Sequence, residues 1–186
     1  MKKVIVNEEK LIEQCIDENR QAQKVLFNHF YSELYLLAMR YLSDHHEAED
    51  AVILSFTKVY KRLNTFNYSG SGSLGKWIRT ILIHEAIRLL QKRRKLHYST
   101  DALHLQIQNE AANGLEQMHA ADIQKMIERL PAGYRTVFNL YVVEGFSHKE
   151  IAALLGVSES TSKTQLKKAR TSLMNTIKKE QSYGIL

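Results

Sequence analysis

A chain of 186 residues with 44% hydrophobic content is long enough for one large packed domain or two small ones, and it reads as a globular protein. Its 26 Lys and Arg against 20 Asp and Glu make it basic, which suits a polyanion such as nucleic acid better than a neutral ligand. The opening MKKVIVNEEK is too poor in apolar residues for a signal-peptide core, and no uninterrupted apolar run would span a bilayer, so a cytoplasmic location without membrane insertion is expected.

Leu11, Ile12, Cys15 and Ile16 fit the buried stripe of a short first helix. Cys15 is the only cysteine, which excludes an intrachain disulfide, and its apolar neighbours predict a buried thiol. A longer helix follows, with Ala22, Leu26, Phe30, Leu34, Leu37 and Tyr41 at core spacing and Tyr31 and Tyr35 as further packing aromatics.

Asp44-His-His-Glu47 can cap and charge the start of a third helix, whose apolar side runs Ala48, Ala51, Val52, Phe56, Val59 and Leu63. The cluster His45, His46, Glu47, Glu49 and Asp50 contains metal-ligand residue types. Adjacent helical residues point about 100° apart, however, and no second His or Cys cluster would close a site, so no metal and no cofactor is expected. An acidic face that docks a protein partner is the better reading.

Residues 64–73 form a loop by composition, with Phe66 and Tyr68 left among glycines and serines. The loop lacks the GxxxxGK[ST] order of a phosphate cradle. From Lys76 to Leu96 the pattern is helical, with Trp77, Ile81, Ile87 and Leu90 inward. The far side is cationic: Lys76, Arg79, Arg88, Lys92, Arg93, Arg94 and Lys95 are set against Glu85 alone. Aromatic rings beside such a helix suit single-stranded DNA, where bases stack and cations track the backbone.

Periodicity weakens over residues 97–121, which read as a linker. Asp122 can cap a helix through Met126, Ile127 and Leu130 that Pro131 ends, and Tyr134, Val137, Phe138 and Tyr141 mark another, closed by Gly145. Ser147-His-Lys-Glu150 has capping-box spacing and opens a helix buried through Ile151, Leu154 and Leu155. Gly156 suits a left-handed C-cap, Val157 plugs the turn, and Ser158 caps a last helix buried through Leu166, Ala169, Leu173 and Ile177. This is a helix-turn-helix pattern. Off the buried stripe the last helix carries Ser158, Glu159, Ser160, Thr161, Lys163, Gln165, Lys167, Lys168 and Arg170. Short polar groups there can reach base edges while the cations hold phosphates. Almost no strand signal occurs, so the fold class is all-α. No catalytic set is evident either: the carboxylates crowd one helix start, without a nucleophile–base pair.

Glu47-Ala-Glu-Asp50, Phe56, Phe66, Trp77-Ile78, Ile81 and the basic run from Lys92 to Lys95 stand in the first half. Leu130-Pro131, Tyr134-Arg135, Val137-Phe138, Glu144-Gly145, Ser147, Glu150-Ile-Ala152, Leu155-Gly-Val-Ser158, Thr161, Lys163 and Ala169-Arg170 stand in the second. In this order they resemble the extracytoplasmic-function (ECF) group of bacterial sigma-70 family sigma factors, over nearly the whole chain. The resemblance implies two small helical domains and a flexible linker. Residues 1–96 would be a region 2-like domain that docks on core RNA polymerase and melts the minus-ten element, 97–121 the linker, and 122–186 a region 4-like domain on the minus-thirty-five element.

By matching positions, Glu47, Glu49, Asp50, Ile53 and Leu54 would face the polymerase clamp. Phe66, Tyr68, Lys76, Trp77, Arg79, Thr80, His84, Arg88 and Lys92 would meet the melted non-template strand and the minus-ten duplex. Ser158, Glu159, Ser160, Thr161, Lys163, Gln165, Lys167 and Lys168 would enter the minus-thirty-five major groove. The chain departs from the family where Ile53-Leu54 replaces a frequent Gln-Glu pair, where His84 and Arg88 stand for Asn and Asp, and in a loop about two residues longer. An anti-sigma partner is common in this family, although no residue here identifies one. A free-standing helix-turn-helix regulator is the alternative, but its sensing domain would have no reason to set Trp77 and a cationic helix beside an aromatic loop.

Overall fold

Side-chain oxygens set most of the helix starts in the computed structural model, which describes residues 7–99 and 120–182. The helices are α1 (Glu8–Ile16), α2 (Arg20–Leu42), α3 (His45–Arg62), α4 (Ser73–Ser99), α5 (Ala120–Glu128), α6 (Ala132–Phe138), α7 (His148–Leu155) and α8 (Glu159–Ser182). A 3-10 turn, Leu63–Thr65, follows α3, and a π-helical segment, Asn139–Val143, continues α6. The described residues contain no strand, and none of their helices is long and apolar enough to cross a membrane. The chain divides at Gln91–Lys92 into two compact units.

In the first unit α2 and α3 run antiparallel, joined by only Ser43 and Asp44. Ser43 takes a left-handed conformation (φ 53°) and its N–H donates to Met39 O, while the Asp44 carboxylate accepts the Glu47 N–H at 2.9 Å. Phe27 packs on Phe56 with ring centroids 4.7 Å apart, and the Tyr60 hydroxyl donates to the Gln23 carbonyl at 2.9 Å. All six positions expected inward on α2 are buried, as are Ala48, Ala51, Val52, Phe56, Val59 and Leu63. Cys15 is only 3% exposed, and burial pushes its thiol up to about 11, which keeps it protonated and unreactive.

Several expectations need correction. Ile16, the last residue of α1, is 42% exposed, since it stands at the end of the helix, off the stripe of Leu11, Ile12 and Cys15. Tyr31 and Tyr35 are only half-buried and stack on one another at 6.0 Å along the helix rim. The inward face of α4 is Leu74, Ile78, Ile81, Leu82, Ala86 and Ile87, leaving Trp77 and Leu90 half-buried. That helix also begins at Ser73 and continues past Leu96 to Ser99, since the run of Lys, Arg, Leu and Gln contains no breaker. Residues 97–99, read as linker, are therefore helical, and 100–119 lie outside the described residues. α5 opens at Ala120, so Asp122 lies inside it instead of capping it.

The second unit is organised by a buried arginine. Arg135, 6% exposed, donates from one guanidinium nitrogen to the carbonyls of Glu128 (2.6 Å) and Leu130 (3.2 Å), which the end of α5 leaves without helical donors. Burial lowers its pKa and Glu128 opposes that shift; an arginine stays cationic regardless. Beyond α6 the backbone widens: Glu144 N–H donates to Asn139 O and Phe146 N–H to Leu140 O. The extra residue rotates Tyr141 outward, where the sequence pattern had it packing, and it is 36% exposed with Val142 and Val143 also exposed. Leu154, Leu155, Leu173 and Ile177 are half-buried, so α7 and α8 contribute Ile151, Ser162, Leu166 and Ala169 to a sealed centre that also holds Val137 and Leu140.

Arg135→Ala should leave both carbonyls without a donor and open a cavity, costing the second unit about 2–4 kcal/mol. Native-state hydrogen exchange should report it as lost protection at the end of α5 and through α6.

Candidate nucleic-acid interface

A long helix that buries one side must offer the other to solvent, and on α4 the wet side is a ridge. Lys76, Thr80, His84, Arg88 and Lys92 recur in steps of four and are all exposed. Trp77 flanks the ridge near its start, and Phe66 from the preceding loop packs on it at 4.9 Å with rings inclined by 36°. The pair leaves aromatic surface beside the cations. Lys92 extends the ridge towards the end of the helix.

The loop before α4 is tied at both edges. Ser69 N–H donates to Ser73 Oγ at 3.3 Å, and Gly72 N–H donates to the Glu8 carboxylate of α1 at 3.3 Å. Gly72 has φ +82°, a conformation that strains any residue with a Cβ. Tyr68 is half-buried, and its hydroxyl pKa is raised by desolvation and then by Glu8 and Glu9. A cleft of about 290 Å³ opens here between Glu8, His29, Glu33, Gly72, Lys76 and Arg79.

Two of the expected DNA-facing cations are already engaged. Arg79 lies off the ridge and pairs with Glu33 of α2 at 3.0 Å. Arg88 donates from Nε to Glu85 at 3.1 Å, and the same carboxylate, 2% exposed, accepts from Lys58 of α3. Burial alone would raise the Glu85 pKa; the hydrogen bonds and charges of Lys58 and Arg88 outweigh it and hold the group below the usual carboxylate range. Arg88 thus stays on the ridge with its direction fixed from inside.

On α3, Glu49, Asp50, Ile53 and Leu54 share one exposed face, Ile53 at 55% and Leu54 at 37% exposure. Glu47 is half-buried at the helix start, at the edge of this face. A mixed acidic and apolar face of this kind suits a protein partner carrying a basic rim.

In the second unit Ser147 and Glu150 form a complete capping box, Gly156 takes φ +66° as the C-cap of α7, and Ser158 Oγ accepts the Thr161 N–H at 3.1 Å. The helix-turn-helix is therefore present. The Ser158 hydroxyl bonds to those of Ser160 and Thr161, each at 2.8 Å, which makes a cap cluster at the start of α8. Glu159 is exposed beside that cluster, and Lys163, Lys167 and Lys168 are exposed further along. Gln165 is half-buried and leans on α6, its amide nitrogen 3.6 Å from where a Cβ on Gly133 would stand. The residues standing farthest from the buried stripe are Ser160, Thr164, Lys167, Lys168 and Thr171. Thr164 and Thr171 went unnoticed in the sequence, although counting in helical steps from Ser160 reaches both. With Tyr134, over whose ring the Lys168 ammonium lies at 5.9 Å, they line a shallow groove of about 550 Å³.

Residues 26–96 match the family model described as Sigma-70 region 2, and residues 120–173 match the one described as Sigma-70, region 4. Among curated proteins the chain is similar to the ECF RNA polymerase sigma factor SigW of Bacillus subtilis, at 26% identity over 178 residues, covering 88% of this chain and 93% of the relative. RNA polymerase sigma factor SigV of the same organism is 25% identical over 159 residues, covering 86% of each. The ECF sigma factor SigE of Mycolicibacterium smegmatis is 24% identical over 154 residues, or 80% of this chain and 59% of that longer relative. In fold, the chain is similar to the sigma factor RpoE of Bartonella quintana, solved in complex with the anti-sigma factor NepR. The TM-score is 0.53 at 24% identity, covering 83% of this chain and 96% of that one.

Glu85→Gln keeps the side-chain volume and removes the charge. Lys58 and Arg88 are 42% and 50% exposed, so their freed cations reach water. The cost should be about 1–2 kcal/mol at neutral pH, less than the 3–5 kcal/mol of a wholly buried pair. Because the folded pKa of Glu85 lies below its ordinary 4.5, this stability is complete above that value and is lost as pH falls through the folded one. Denaturant titrations from about pH 7 to about pH 3 should show the wild type and the variant converging at the acid end.

Proposed function

The chain belongs to the ECF group of the sigma-70 family of RNA polymerase sigma factors, and on that premise we propose how its surfaces divide the work of initiation. Core polymerase binds the exposed α3 face of Glu49, Asp50, Ile53 and Leu54, with Glu47 at its edge. The α4 ridge and the Phe66–Trp77 pair take the minus-ten element: the cations follow the phosphates while unpaired bases stack on aromatic surface. α8 enters the minus-thirty-five major groove, with Ser160, Thr161 and Lys163 near base edges and Lys167 and Lys168 on phosphate. The function-bearing units correspond to residues 1–96 and 122–186.

Melting needs no chemistry from this chain. Unstacking a base costs a few kcal/mol, and stacking on an aromatic ring returns about 1–3 kcal/mol per base, so binding energy alone can open a weak element. The polymerase supplies the catalysis, which sets the site of action in the cytoplasm. An anti-sigma partner would hold the factor inactive by covering one of these faces. The observation that carries the reading is the region 2 and region 4 matches in order on one chain, with the α4 ridge and the helix-turn-helix both exposed.

Run-off transcription with core polymerase from a bacterium, with and without this protein, on fragments of the source genome tests it. New transcripts starting downstream of shared paired motifs are expected. Specific duplex binding by the protein alone, without any new transcript while a control sigma factor works, would favour the free-standing regulator instead.

Reversing Glu49 and Asp50 to lysine should weaken polymerase binding at least tenfold. Circular dichroism should be unchanged, because both side chains are exposed. Equal loss of helicity would assign the effect to misfolding.

A further inference from the structure

We infer that His148 and Ser162 form a polar pin that sets the rotation of α8 about its own axis, and thereby which of its side chains reach base edges. The inference rests on the proposed role of α8 in the major groove. Ser162 is fully buried on the inner face of α8, and its Oγ lies 2.9 Å from His148 Nδ1. His148 is the first residue of α7, and its backbone is fixed by the Ser147–Glu150 capping box. Its ring stacks on Tyr141 at 4.5 Å with the planes inclined by only 22°. The Arg170 guanidinium of α8 approaches the same Tyr141 ring at 6.0 Å. The last helix is thus gripped at two points eight residues apart, about 12 Å along its axis.

Apolar packing alone would define that rotation poorly. Among the described residues of α8 three side chains are sealed on the inner face, and of these Leu166 alone is large, beside Ala169 and Ser162. Dispersion contacts are non-directional, whereas a hydrogen bond weakens steeply once its geometry departs from ideal. Ser162 stands between Thr161 and Lys163, which diverge about 100° to either side of it. Turning the helix by about 20° would move a side-chain tip at its rim by about 2 Å, enough to break contact with a base edge. A serine hydroxyl can donate or accept, so the bond survives either imidazole tautomer.

The test uses the full chain with core polymerase on a promoter found by the run-off experiment, comparing the intact upstream element with single base-pair substitutions in it. Ser162→Ala and His148→Phe each remove the bond, the second keeping an aromatic ring against Tyr141; His148→Asn restores a hydrogen-bonding group near Nδ1. We expect each disrupting variant to lose about fivefold to tenfold in discrimination between cognate and substituted elements, within the range a mismatched base pair is worth. The double variant should lose no more than either single one, and His148→Asn should recover at least half. Transcription from a template with a scrambled upstream element should be unchanged, which a general folding defect would not allow. Unaltered discrimination in both single variants, or losses that add in the double one, would overturn the pin. If wild type initiates nowhere, the reading beneath it falls as well.

Discussion

Glu85 is the charge on which the first unit turns. A carboxylate buried to 2% exposure is costly unless it is paired, and here it is paired twice, to Lys58 on α3 and to Arg88 one turn along its own helix. The pairing ties the helix with the exposed acids to the helix with the exposed cations. It also fixes Arg88 on the exposed ridge, so one interaction serves the core and the surface together.

The second unit solves a different problem, that of small helices with few residues to bury. Arg135 uses its donors to close the end of α5, and the π segment after α6 turns Tyr141 onto His148. Polar and aromatic contacts supply direction where Ala169, Ser162 and a single leucine supply little volume on the buried face of α8. Capping adds to this: Ser147 and Glu150 close the start of α7, Gly156 its end, and Ser158 the start of α8.

The exposed acids stand on α3 and the exposed cations on α4 and α8, while Glu33 and Glu85 draw Arg79 and Arg88 into ion pairs. Counting basic residues along the chain therefore overstates the charge available to phosphate, since a cation already paired with a carboxylate releases fewer counterions when DNA arrives.

The helices, the starts of α3, α7 and α8 and most of the buried stripes were legible from residue spacing, because capping oxygens and a 3.6-residue period are local properties that the chain carries with it. The acidic face of α3, the ridge of α4 and the two turns of the helix-turn-helix followed from the same local rules. What the spacing did not reveal were pairings between residues distant in sequence. Examples are Lys58 with Glu85, Glu33 with Arg79, Glu8 with Gly72 and His148 with Ser162. Nor did it reveal the extra residue of the π segment or the burial of Arg135, because a hydrogen bond of that kind depends on where two elements come to rest. Period and capping thus determined what the helices are and what they expose; only the tertiary structure decided which charges remain for a partner, since that is settled by contacts the linear order does not contain.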